Sequence, residues 1–95
     1  MRNDTRHERR FNAAVAEHGY CVPENFIQPL RRYVIDHTMT GDLLHGILID
    51  NWWMAIMHAH TALTVEDLKA ITRFVWDAVP PEARGSHEAV KAWVA

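Results

Sequence analysis

A chain of 95 residues, 48% hydrophobic and 23% charged, has room for one small core, which excludes two independent domains. Its formal net charge of −2 and pI near 6.4 exclude a general electrostatic attraction to nucleic acid or anionic lipid. The lone Cys21 excludes an internal disulfide framework, and the longest apolar run, near Trp52 to Met57, is too short to span a bilayer.

The first twenty residues carry four Arg and no signal-type apolar stretch, so the expectation is a soluble, cytoplasmic chain. Thr5 and Glu8 stand at capping-box spacing and Gly19 offers a left-handed stop, which predicts an Arg-rich helix over residues 6–18. Phe11, Ala14 and Val15 form its narrow apolar stripe. A second helix follows the Tyr20–Pro23 connector, with Pro29 in or near its first turn, stripe residues Phe26, Leu30, Tyr33 and Val34, and an end near His37. Thr40 is the expected cap of a third helix over Leu43–Ile49, with Asp42 at its positive end. That segment is almost continuously apolar and is expected to be central, wrapped by the fifth and last helices.

Asp50-Asn51 is a plain break, after which Trp52, Trp53, Met54, Ile56 and Met57 crowd a short fourth helix on nearly every side. Thr64 and Asp67 repeat the capping-box spacing ahead of Val65, Leu68, Ile71, Val75 and Val79, which predicts a fifth helix with those residues on one buried face. Pro80-Pro81 stops it, and Ser86 caps a last helix carrying Val90, Trp93 and Val94. No segment alternates with the period of a strand for more than a few residues. The reading is a single all-α domain over 1–95, a compact assembly of five or six short helices.

Seven histidines raise the question of a metal site. His58 and His60 lie two apart, which on a helix separates them by about 200° and denies them a shared ion. Asp42 and His45 have usable ligand spacing, but such pairs arise by chance, and hydrogen-bonded, solvated histidines are the expectation. Neither metal nor cofactor is implied. Ser86 is explained by capping. Cys21, near His18, is either a reactive thiolate or, more simply, a small, partly buried side chain. Carboxylates are scattered and the four glycines isolated, so neither an acid/base pair nor a phosphate loop can be read.

Charge is unevenly placed. Residues 1–35 hold six Arg against four acids, whereas residues 36–80 hold two basic and six acidic residues. Arg2, Arg6, Arg9 and Arg10 on one helix and Arg31-Arg32 on the next could form a fork for phosphate or carboxylate; the alternative is a solvated face partly neutralised by Asp4 and Glu8. The Trp52-Trp53 pair is the other unusual feature. Adjacent helix positions point about 100° apart, so the two rings cannot share one core pocket. At least one is expected to be exposed or covered by a second subunit or partner, while the other acts as core.

From Tyr33 to Val94 the chain resembles a family of small helical proteins of tailed bacteriophages and prophages, largely of unassigned function. The resemblance rests on Tyr33, His37 and Gly41, on Leu44 and Leu48, on Asp50-Asn51, and on a tail of Phe74-Val75-Trp76, Pro80, Gly85-Ser86, Val90 and Trp93. The chain departs from it at Thr38, Thr40, His58 and His60. The resemblance implies a phage accessory protein without enzymatic activity, which binds and blocks a host protein in the host cytoplasm, such as a component of antiviral defence. The binding residues expected for it are Trp52, Trp53, Met57, His58 and His60. The alternative is an oligomer that sequesters a nucleotide-type ligand through Trp and the side chains of Arg6, Arg10, Arg31 and Arg32. An enzyme using His and Asp is a third reading.

Overall fold

The computed structural model describes residues 5–59 and 63–95, and among them every regular element is helical. Six α-helices follow one another: α1 (Thr5–His18), α2 (Ile27–Asp36), α3 (Asp42–Leu48), α4 (Trp52–Met57), α5 (Val65–Ala78) and α6 (His87–Val94). Short 3₁₀ turns lie at Gly19–Cys21, Glu24–Phe26 and Pro81–Ala83. The all-α single domain expected from the sequence is the observed architecture.

Local chemistry sets most of the helix ends. Thr64 accepts the Asp67 amide at 3.1 Å while the Asp67 carboxylate accepts the Thr64 amide at 3.0 Å, a complete capping box that opens α5. Ser86 accepts from the Ala89 amide and Asn51 from the Met54 amide, each at 3.1 Å, opening α6 and α4. Other ends differ from expectation. Thr5 is already helical, so α1 begins a residue early. Gly19 has no positive φ; α1 tightens into a 3₁₀ turn instead, and the left-handed C-cap belongs to His37, φ 56°, at the end of α2. Thr40 is not the cap of α3. Gly41 takes that position with extended backbone, which leaves Thr40 one residue too far upstream, and among the described residues its buried hydroxyl has no partner.

The central helix is α5, not α3. It lies along α1, where Phe11 and Phe74 meet edge to face with centroids 5.4 Å apart, and its inner face of Leu68, Ile71, Phe74, Val75 and Ala78 is buried. Val65 departs from the expected face and is exposed, because the first turn of α5 projects beyond the core. Leu43, Leu44 and Leu48 of α3 enter the same core, but the main neighbour of α3 is α4. Gly46 explains how close they are: a Cβ there would stand 2.7 Å from the Ala55 backbone nitrogen.

Helix α6 docks on the Pro81–Ala83 turn and, through Trp93, on the end of α2 rather than wrapping α3. Trp93 donates its indole N–H to the Tyr33 carbonyl at 2.8 Å and stacks on His37, which donates from Nδ1 to the Trp93 carbonyl. Tyr33 is fully buried and donates its hydroxyl to the Ala83 carbonyl at 2.6 Å, tying α2 to the turn before α6.

Burial pushes the Tyr33 hydroxyl up to about 12 from its ordinary 10.0. The unfolded chain therefore releases this proton first as pH rises. Stability from this group is complete below pH 10 and is lost between about pH 10 and 12, by up to about 2–3 kcal/mol. Urea unfolding in that window is expected to show this loss in the wild type and a shallower one in Tyr33→Phe. Equal slopes would mean that Tyr33 titrates as it does in water.

Candidate functional site

Helix α4 presents its apolar residues the wrong way for a lone domain. The sequence Trp52 to Met57 contains no charged side chain, so every face of the helix is apolar or small. Ala55 alone is buried, set against the backbone of Gly46. Trp53, Ile56 and Met57, at i, i+3 and i+4, form one stripe that faces solvent, with Trp53 73% and Met57 62% exposed. Trp52 is also exposed, at 40%, so neither tryptophan is core and the expectation that one of the pair would be is corrected. The physical reason is the Gly46 seat: Ala55 meets it, which turns Trp53 to solvent and leaves Trp52 at the edge of the helix's inner face.

Acidic groups stand at both ends of this helix. Asp50 precedes it in a left-handed conformation, φ 64°, which Asp tolerates better than most residues. Asp42 lies at its far end, where its carboxylate is 3.8 Å from Nδ1 of the exposed His58. His60 falls outside the described residues. Val65, exposed at the start of α5, adds a further apolar side chain at the surface.

A second feature adjoins the stripe. Trp52 and Trp76, from α4 and α5, line a cleft of about 140 Å³ with Ile47 and Val75, while Asp50 and Arg84 supply its charges. Arg84 lies over the Trp76 ring with its guanidinium carbon 3.8 Å from the centroid. It donates from Nε to the Val79 carbonyl at 3.1 Å and from Nη2 to that of Trp76 at 3.3 Å. Burial lowers the Arg84 pKa from its ordinary value; Arg10 adds to this and Asp77 opposes it. Beyond Trp76 a shallower hollow of about 280 Å³ is bordered by His18, Asp77 and Arg73, with His18 Nε2 and Asp77 Oδ2 2.5 Å apart.

Of the arginines that could form a fork, Arg2 lies outside the described residues, and the others are not gathered at one hollow. Arg6 and Arg10 border a hollow of about 190 Å³ with His7, Pro80 and Glu82, but among the described residues Arg31 and Arg32 do not line it. Arg10 donates from Nε to the Asp77 carbonyl at 2.8 Å. Arg31 turns to α1, where it donates to Asn12 at 2.9 Å and lies over the Phe11 ring. Arg32 is exposed. These bonds arise because α2 and α5 each cross α1, a relation the sequence does not display.

The histidines are spread over separate contacts. His7 meets Trp93 edge-on, His45 meets His87, and His18, His37 and His58 pair as above. Among the described residues no three of His, Cys, Asp and Glu gather as metal ligands. Cys21 is exposed, which corrects the simpler expectation of partial burial. Sequence reasoning missed Trp76 and Arg84. The available signal was that Trp76 falls off the Leu68, Ile71, Val75 stripe of its helix, so its ring had to face outward.

No family model, curated protein or solved structure matches the chain. Among the described residues no helix is long and apolar enough to cross a membrane.

Proposed function

We propose that this chain is a binding protein without catalytic activity, which docks on a host protein through the outward stripe of α4 and blocks it. The observation that supports this is the exposure of Trp53, Ile56 and Met57 together on a helix seated by backbone contact at Gly46. Isolated exposed apolar residues are ordinary, but a contiguous set rich in Trp and Met has the composition of an interface centre. The resemblance to phage accessory proteins supplies the setting, the host cytoplasm, and makes a component of antiviral defence the expected target.

The test is a comparison of immobilised wild type with the double variant Trp53→Ser and Met57→Ser on lysate of the bacterial host. Both side chains are exposed, so the variant is expected to unfold at the same urea concentration within about 0.5 kcal/mol of stability. A discrete protein retained by the wild type and lost from the variant is the expected outcome. Retention of the same proteins by both would remove α4 from the binding surface. Sedimentation at rising concentration separates the case of a second copy: a dimer abolished by the same variant would make the stripe a self-association surface.

A further inference from the structure

The cleft between α4 and α5 offers flat walls of unusual kind. One is the guanidinium plane of Arg84, backed at 3.8 Å by the Trp76 ring, and another is the indole of Trp52. Ile47 and Val75 give an apolar floor. We infer that this cleft binds a planar heteroaromatic ring of the nucleobase class, presented by a free nucleoside or nucleotide.

The shape of the walls carries the first part of the argument. A saturated ligand would gain only contact with the floor, whereas a conjugated ring also stacks on the guanidinium and indole faces. The polar groups carry the second part. Nε and Nη2 of Arg84 are committed to the Val79 and Trp76 carbonyls, which leaves the Nη1 amino group, in the plane of the guanidinium, for an acceptor beside the stacked ring such as a ribose oxygen. Asp50 contributes an exposed carboxylate that accepts from a ring N–H or amino group. A nucleoside, with N–H groups on its ring edge and oxygens on its ribose, meets both requirements. Among the described residues Arg84 is the one cation lining this cleft, so the base and not a phosphate is the recognised group. Trp53 and Met57 do not line it, and the inference therefore stands apart from docking through α4.

The four indole N–H signals of the ¹⁵N-labelled chain make the test specific. Guanosine and uridine are titrated into the full chain, with guanosine monophosphate and ribose 5-phosphate in parallel. Saturable shifts at Trp52 and Trp76, with Trp53 and Trp93 unmoved, are expected for guanosine and, more weakly, for uridine. Guanosine monophosphate is expected to bind like guanosine if only the base is read. Trp76→Leu is expected to weaken guanosine binding by at least about tenfold, the effect of losing the ring that holds the guanidinium face in place. Arg84→Lys keeps the charge without the plane and is expected to fall to the same level. Unchanged Trp53 and Trp93 signals verify the fold of each variant. The inference is overturned by the absence of saturable shifts up to the solubility of guanosine, by equal binding of ribose 5-phosphate, or by equal movement of the Trp53 signal.

Discussion

Replacement of Phe74 by alanine is expected to remove about 3–5 kcal/mol from the free energy of unfolding, the loss typical of a fully buried phenylalanine. Phe74 is completely buried at the junction of α1 and α5, with its ring against the edge of Phe11. The loss has two parts: the transfer energy of the ring and the cavity left between two helices that are also tied by Arg10 and the Asp77 carbonyl. A domain of this size commonly has about 5–14 kcal/mol in total, so the variant would sit near the limit of folding. Leu68→Ala, in the buried set of the same helix nearly two turns earlier, is expected to cost about 2–5 kcal/mol. Urea unfolding of the two variants checks both values. A loss below about 1 kcal/mol for Phe74→Ala would mean that α5 is not the centre of the core.

Gly46→Ala is the second large effect, and its origin is backbone rather than side chain. The added methyl would stand 2.7 Å from the Ala55 nitrogen, 3.1 Å from the Ala55 Cα and 3.1 Å from the Asn51 carbonyl. None of these atoms ends a flexible side chain, so α4 must move away from α3 as a unit. The movement strains the 2.7 Å hydrogen bond from the Asn51 amide to the Gly46 carbonyl. Overpacking of this kind costs about 1–3 kcal/mol, and more where backbone must shift. The expected result is a stability loss of at least about 2 kcal/mol together with displaced indole signals of Trp52 and Trp53. A neutral substitution would show that α3 and α4 are not in backbone contact.

These two positions mark what could be read from the chain and what could not. The α5 stripe was legible because Leu68, Ile71 and Val75 repeat at helical intervals behind a capping box, both of which are local. Its first member, Val65, is exposed because the stripe tells which face is inward, not how far along the helix the core extends. Gly46 was legible only as an isolated glycine. Its close approach to Ala55 depends on the α3–α4 crossing, which follows from the left-handed Asp50 and the cap at Asn51.

The candidate site divides in the same way. That α4 was too apolar to be covered on all sides followed from its composition, and Trp53, Ile56 and Met57 are exposed accordingly. The cleft beside it joins Trp52 of α4, Trp76 of α5 and Arg84 of the turn before α6, residues whose proximity is tertiary. The arginines show the same dependence in reverse. Arg31 found Asn12 and Arg10 found the Asp77 carbonyl, partners that sequence spacing does not reveal.

Contact between the outward face of α4 and a partner protein can be read by site-specific photocrosslinking. A photoreactive phenylalanine analogue is placed at Met57, on the stripe, or at Glu88, exposed on α6, and the labelled chains are irradiated in cells of the host that the proposed function requires. A discrete adduct is expected from position 57 that position 88 does not give, and its loss is expected when Trp53→Ser is added. The same adducts from both positions, or none from position 57, would contradict that contact.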